Sequence, residues 1–226
     1  MDQGFIVIFI IIIAIGIGIF AFYANMKRRQ EWQQFANNHG FSYERYDSIG
    51  LPEKYSDYQL FKQGHSKKGY NLCLGKDKDL NICTFDYQYT TGSGKNQQTH
   101  FCTGIMAESS LIFKPLYIRP ENILDKIGAA IGFDDIDFES AEFSKKFYVK
   151  CEDKKFAYDI IHARMIDFLL QCQKICIETR FQSVLFHRDR RLSISEMELL
   201  LIEAEKFIEL TPDYVRQEIS LPAGKV

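Results

Sequence analysis

The chain has 226 residues, with 28 Lys and Arg against 30 Asp and Glu, and 46% of its residues are apolar. This composition is typical of a globular protein with enough material for a sizeable core, and it excludes a disordered tail or a collagen-like chain. The formal net charge of −2 at pH 7 argues against a dedicated nucleic-acid-binding protein, which normally carries a basic face. We therefore expect no nucleic-acid partner.

The N-terminus is the most apolar part of the chain, since residues 4–24 contain no charged side chain. A helix of that length spans about 31 Å at roughly 1.5 Å per residue, which matches the hydrocarbon core of a bilayer. A cleaved signal peptide has a basic start and a shorter apolar run of about 7 to 15 residues, whereas this chain begins with Met1, Asp2 and Gln3. We predict an uncleaved transmembrane helix over residues 4–24, with the lipid bilayer as a partner.

A basic cluster follows the apolar run and consists of Lys27, Arg28 and Arg29. Positive charge on this flank predicts a single-pass protein with its N-terminus outside and its main domain in the cytoplasm. These membrane-flanking residues can also contact anionic lipid headgroups.

Small residues share one face of the apolar helix, at Ala14, Gly18 and Ala21. Such a face allows two helices to approach closely, but similar spacings also arise by chance in apolar helices that simply face lipid. A homodimer is therefore left open.

An amphipathic stripe continues beyond the anchor, with residues three and four apart at Trp32, Phe35, Ala36 and His39. It predicts a juxtamembrane helix over residues 25–40 that ends at Gly40 and docks on the soluble domain. From Phe41 to Ser109 the pattern becomes alternating and rich in β-branched and aromatic residues, which predicts an antiparallel meander.

Leu111 to Tyr117 is predicted to be an edge strand because Pro115 interrupts it. Pro120 then opens a predicted helix that runs to about Ile131. A half-buried strand is expected within residues 143–151, where apolar and polar side chains alternate.

The C-terminal third alternates between helix and strand. Lys154 to Leu170 has helical spacing, and residues 176–188 are β-branched and aromatic enough for a long strand. A last helix begins with a capping box, in which Ser193 is the N-cap and Glu196 stands three residues later.

These elements predict an α+β fold, with an N-terminal transmembrane helix followed by a mainly antiparallel β-sheet domain with packed helices. This order of elements excludes a doubly wound nucleotide-binding fold. Residues 41–226 are expected to form one cytoplasmic domain, and two sublobes divided near residues 119–136 are the alternative.

Six cysteines are present, at positions 73, 83, 102, 151, 172 and 176. In a cytoplasmic domain they stay reduced, so we expect no disulfides. No pair has the two-residue spacing of a zinc site, and most fall at apolar positions. We interpret them as small buried hydrophobic residues and predict no metal.

Three further patterns suggest chemistry only weakly. Residues 91–95 look like a phosphate loop but lack the spacing and the following helix of one, which favours a hairpin loop. His100 and Cys102 are a base and a thiol without a third orienting group. The acidic residues of positions 134–142 lack the spacing of a calcium loop. We predict no catalytic residue and no cofactor.

Aromatic residues beside the glycine loop offer a candidate partner-binding surface, formed by Asp86, Tyr87 and Tyr89. Tyrosine is enriched at protein interfaces because one end is apolar and the other polar. The alternative is that these side chains pack across the sheet.

Four segments resemble uncharacterised bacterial single-pass membrane proteins: residues 32–41, residues 86–89 with the Gly-Ser-Gly loop, residues 119–121 and residues 137–149. The resemblance covers most of the soluble part. It implies a place in the bacterial inner (cell) membrane and supplies no catalytic residue, because that family has no assigned activity.

The leading functional hypothesis is a membrane-anchored cytoplasmic module that binds another protein and has no catalytic activity. One alternative is an enzyme whose site is assembled from distant residues. Another is a sensor of the lipid surface that acts through the juxtamembrane helix and its basic cluster.

Overall fold

The computed structural model describes residues 3–121, 136 and 138–215. Within these residues a long N-terminal helix leads into an antiparallel six-stranded sheet with helices packed against it. The predicted α+β class is therefore confirmed. The helix predicted between Pro120 and Ile131 lies outside the described residues.

The helices are α1 (Gln3–His39), α2 (Leu51–Lys54), α3 (Gln59–Lys62), α4 (Ala141–Lys146), α5 (Lys154–Ile160), α6 (Ala163–Gln171) and α7 (Ile194–Leu210). The strands are β1 (Ser42–Tyr46), β2 (His65–Asp77), β3 (Leu80–Thr91), β4 (Gln98–Pro120), β5 (Phe147–Cys151) and β6 (Cys176–Arg188). The capping box predicted at Ser193 and Glu196 is present at the start of α7.

Helix α1 joins the predicted anchor and the predicted juxtamembrane helix into one continuous element. Its apolar N-terminal part is long enough to cross a membrane and is not buried against the rest of the protein. Its C-terminal part packs on the sheet, where Trp32, Phe35 and Ala36 are fully buried. Gly40 ends the helix with a left-handed backbone (φ 67°), which glycine adopts without steric cost.

The sheet has the order β1-β2-β3-β4-β5, and β6 also pairs with β4. The meander predicted from Phe41 onward is present as β1 to β4. The segment from Leu111 to Tyr117, predicted to be an edge strand, is not a separate strand but lies within β4, where Phe113 pairs with β6 and Leu116 and Tyr117 pair with both β5 and β6. Pro115 is accommodated because it falls in a register shift between Phe113 and Leu116, where a missing N–H costs no regular ladder bond.

Both faces of the sheet are covered. The larger core packs α1, α5, α6 and α7 on one face and contains Trp32, Phe35 and Phe207. The smaller core lies under α2 and α3 on the other face and contains Phe61 and Phe85. All six cysteines are free thiols and five are buried, as expected of small hydrophobic residues.

Candidate functional site

An ion pair joins the membrane helix to the centre of the sheet. Arg28 follows the apolar run on α1, and its side chain turns into the domain instead of toward solvent. Its Nε donates to Oδ2 of Asp86 at 2.7 Å and its Nη2 donates to Oδ1 at 2.6 Å. Asp86 lies on β3 and is fully buried. Two parallel charge-assisted hydrogen bonds of this kind are strong and fix the relative orientation of the two groups.

Further hydrogen bonds complete the environment of this pair. Asp86 also accepts from the amide of Asn71 at 2.9 Å and from the hydroxyl of Thr103 at 2.7 Å. Nη1 of Arg28 donates to the carbonyl of Leu192, just before α7, at 2.9 Å. Burial works against the charge on Arg28, but the hydrogen bond and the attraction to Asp86 outweigh it, so the pKa of Arg28 is raised. The pair is ionised and ties together α1, the sheet and the approach to α7.

Asp86, Tyr87 and Tyr89, the predicted partner-binding residues, are all buried. Tyr87 packs edge-on against Phe61, with ring centroids 5.1 Å apart. The hydroxyl of Tyr89 donates to the amide oxygen of Gln63 at 2.6 Å. Burial raises the pKa of both phenols. The structure therefore agrees with the alternative interpretation, packing across the sheet, and these side chains do not form a surface.

The three predicted membrane-flanking residues have different surroundings. Lys27 is exposed and stands 3.9 Å from Glu31, and Arg29 is partly exposed. Arg28 is instead committed to Asp86. No local sequence signal distinguishes Arg28 from its two neighbours, because the carboxylate lies 58 residues away along the chain.

A cleft lies where α1 meets the sheet, and we call it the cationic cleft. Its volume is about 210 Å³, and it is lined by Asn25, Arg28, Arg29, Arg45, Tyr46, Lys68, Tyr70, Asn71, Gln88 and Arg191. Five of these residues are cations, and the lining includes no acidic residue. Asp86 behind the cleft neutralises Arg28, so four positive charges face an anion that enters it.

Aromatic rings hold two of the cations in place. The guanidinium of Arg191 lies 4.0 Å from the ring centroid of Phe101 and donates to the hydroxyl of Tyr70 at 3.1 Å. Arg45 lies over the ring of Tyr46 at 4.9 Å. Cation–π contacts position a guanidinium while its N–H groups remain available for a ligand.

A second cluster brings Cys176, His187 and Asp189 together, with their potential ligand atoms within 4.8 Å of one another. Cys176 and His187 stand at the two ends of β6. An extended strand of eleven residues spans about 36 Å, so the pair of strands β4 and β6 must bend strongly at its register shifts near Phe113. Sequence spacing gives no signal for such a cluster.

The chemistry of this cluster favours an internal ion pair. Nδ1 of His187 lies 3.3 Å from Oδ1 of Asp189. Burial lowers the pKa of His187, but Cys176 and Asp189 outweigh that effect and raise it to about 10. Cys176 and His187 are both buried, so a substrate does not reach the thiol. We assign the cluster no catalytic role.

The weaker predicted patterns form no site in the described residues. Cys102 is buried, which raises the pKa of its thiol. His100 bonds instead to the hydroxyl of Thr91 at 2.7 Å. Residues 91–95 lie in the connection between β3 and β4, as the hairpin interpretation required. Of the acidic series, positions 134, 135 and 137 lie outside the described residues, and Glu142 pairs with Lys146 at 2.9 Å.

Comparison with known proteins yields a likeness in fold. No protein-family model matches the chain, and no curated protein matches it. Among solved structures, the chain is similar to the crystal structure of the mycobacterial trehalose monomycolate transport factor A, TtfA, with a TM-score of 0.57. The match covers 81% of this chain and 96% of that chain at 14% sequence identity. At this identity the likeness establishes the fold and no more.

Proposed function

We propose that the protein is a membrane-anchored binding module without catalytic activity, and that the cationic cleft binds an anionic partner at the bilayer surface. The observation that carries this proposal is the concentration of five cations, without an acidic residue, in the lining of one cleft beside the membrane helix. A chain with a formal net charge of −2 has no general excess of positive charge, so this concentration is local.

The connection between anchor and domain supports a role at the membrane surface. Helix α1 enters the domain without a linker, and its C-terminal part is held by the buried Trp32 and Phe35 and by the Arg28–Asp86 pair. The domain therefore does not swing freely on a flexible segment. The cleft keeps a fixed distance from the end of the apolar run, and by the positive-inside rule it faces the cytoplasm.

The chemistry of the described residues favours binding over catalysis. The buried thiols of Cys102 and Cys176 are out of reach of a substrate. The likeness in fold to a protein named as a transport factor supports a role in binding.

A protein partner remains a second candidate, and one observation favours it. Leu199 and Ile202 stand three residues apart on the outer face of α7 and are 57% and 61% exposed. Adjacent apolar side chains on a helix surface are a common element of protein interfaces. For the homodimer that the sequence leaves open, this face and the small-residue face of α1 are the candidate contact surfaces.

Photo-crosslinking in native membranes tests the proposal. A benzophenone amino acid replaces Tyr46, which lines the cleft, or Asp79, which lies in the exposed turn between β2 and β3. We expect crosslinked products at position 46 that disappear when Arg45 and Lys68 are changed to Gln, and none that depend on these cations at position 79. A cleft that yields no cation-dependent product would contradict the proposal.

A further inference from the structure

We infer that the ligand of the cationic cleft is the phosphate-bearing headgroup of an anionic membrane lipid. The inference rests on the proposed function, because it names the chemical class that the cleft binds. Three features of the cleft support a lipid headgroup as its ligand: its depth below the bilayer core, its hydrogen-bond donors and the aromatic residues around it.

The depth of the cleft relative to the bilayer follows from the position of its residues along α1. The predicted apolar segment ends at residue 24, and the cleft is lined by Asn25, Arg28 and Arg29 of the same helix. At roughly 1.5 Å per residue these positions lie about 2 to 8 Å beyond the end of that segment. A bilayer of about 40 to 45 Å with a core of about 30 Å has a headgroup layer of roughly 5 to 8 Å on each side. The helix side of the cleft is therefore at headgroup depth.

The donors suit a phosphate. Three of the four charges that remain after Arg28 is paired are guanidinium groups, on Arg29, Arg45 and Arg191, and guanidinium groups bind phosphate oxygens in a bidentate manner. Lys68 adds a compact charge. Within the described part of the chain, Arg29, Arg45, Lys68 and Arg191 form no ion pair with an acidic side chain. Their positive charges are therefore not neutralised by ion pairs in the described part of the chain.

Aromatic side chains mark the same level. Tyr23 stands at the end of the apolar run and is exposed, and Tyr46 is 61% exposed in the lining of the cleft. Tyrosine is enriched at membrane–water interfaces because its ring is apolar and its hydroxyl is polar. An acidic protein segment would meet the same charges, but a headgroup is already present at this depth and at high local concentration, which favours its binding.

Lipid titration of the full-length protein in a non-ionic detergent tests the inference, with native mass spectrometry to count bound molecules. The probes are dioctanoyl-phosphatidylglycerol and dioctanoyl-phosphatidylcholine, which differ in headgroup charge. We expect one molecule of the anionic lipid to bind preferentially. Equal binding of the two lipids would overturn the inference.

Variants locate the site. Arg45→Gln with Lys68→Gln removes two exposed charges from the cleft, and Lys76→Gln with Lys206→Gln removes two exposed charges elsewhere. Near a membrane surface each cation contributes roughly fivefold to binding, so the first pair should weaken anionic lipid binding roughly twenty-five-fold. The second pair should change it less than twofold. An equal loss in both variants would show general charge attraction and overturn the site.

Two further competition experiments identify whether the bound phosphate comes from a lipid or from a soluble molecule. Inorganic phosphate and glycerol 3-phosphate should compete only weakly with the anionic lipid, because they lack acyl chains. Competition as strong as by the lipid itself would mean a soluble phosphate ligand and would overturn the inference. If lipid fails to bind while the probe at position 46 captures an acidic protein, the inference falls and the proposed function stands. If the anionic lipid does not bind and the probe at position 46 captures no acidic protein, both the inference and the proposed function are contradicted.

Discussion

Arg28 on α1 and Asp86 at the centre of the sheet form a bidentate ion pair, with N–O distances of 2.6 and 2.7 Å. The pair connects α1, whose apolar part is long enough to cross a membrane, with the strand at the middle of the sheet. Because Asp86 has no exposed surface and accepts from two further side chains, the connection is directional and rigid. It gives a basic residue beside the membrane a structural role in addition to any role in topology.

Loss of one partner of this pair should strongly destabilise the domain. Arg28→Met leaves a buried carboxylate without its cation, which typically costs about 3 to 5 kcal/mol. Lys27→Met is the matched control, because Lys27 is exposed, and it should cost less than about 1 kcal/mol. Denaturant unfolding of the full-length protein in detergent measures both. Similar costs for the two variants would show that Arg28 is not held as described.

A double variant tests whether the charges of Arg28 and Asp86, and not the packing of their side chains, account for this loss of stability. Arg28→Met combined with Asp86→Leu removes both charges, and apolar replacements of buried ion pairs are often close to neutral. We expect the double variant to regain most of the stability that Arg28→Met loses. A loss equal to the sum of the single losses of Arg28→Met and Asp86→Leu would mean that the pair does not act as a unit.

Topology should depend on the two flanking cations that the fold does not use. Changing Lys27 and Arg29 to Gln reduces the positive-inside signal while the Arg28–Asp86 pair remains. We expect a larger fraction of inverted molecules, read from a C-terminal reporter enzyme that is active only outside the cytoplasm. An unchanged orientation would show that other signals dominate.

The capping box of α7 should contribute measurably to stability. The hydroxyl of Ser193 accepts from the backbone N–H of Glu196, and the carboxylate of Glu196 accepts from the N–H of Ser193. Ser193→Ala should cost about 1 kcal/mol. Ser56→Ala, at an exposed position outside α7, serves as the control and should cost only a few tenths of a kcal/mol. Equal costs would argue against the cap.

His187 should make stability depend on alkaline pH. Its pKa in the folded protein is raised to about 10, above the value of about 6.5 in an unfolded chain. The charged form therefore stabilises the fold fully below about pH 6.5, and this contribution is lost as the pH rises toward 10. The free energy of unfolding should fall more between pH 7 and pH 10 in the original protein than in His187→Gln. Parallel falls would contradict the raised pKa.

The sequence predicts most of the regular elements, because most have a local signal. Residues 143–146, expected in a strand, belong instead to α4, and the helix expected from Lys154 to Leu170 is divided into α5 and α6. The apolar run, the stripe at Trp32 and Phe35, and the capping box at Ser193 depend on neighbours within a few residues. The bend of β4 and β6 near Phe113 has no such signal, since it arises from register shifts between strands that are distant along the chain. Pro115 suggests an edge strand from Leu111 to Tyr117, whereas this segment continues β4 and is paired on both sides from Leu116 onward.

The candidate site was harder to predict than the fold, for a related reason. The basic residues at positions 27–29 can be recognised in the sequence. The cleft also needs Arg45 from β1, Lys68 from β2 and Arg191 from the segment before α7. Only the antiparallel pairing of β1 with β2 and the packing of α1 on them bring these charges together. Asp86, Tyr87 and Tyr89, predicted from the sequence as a partner-binding surface, are buried, and Asp86 contributes instead to the internal ion pair with Arg28.

The most direct test of this account is the depth of the cleft relative to the headgroups. A fluorescent amino acid replaces Tyr46 or Asp79 in the full-length protein, which is placed in nanodiscs whose lipids carry a nitroxide on the headgroup. We expect strong quenching at position 46 and weak quenching at position 79, because the turn between β2 and β3 lies at the opposite end of β2 from the cleft. Equally weak quenching at both positions would place the cleft away from the bilayer and contradict the account.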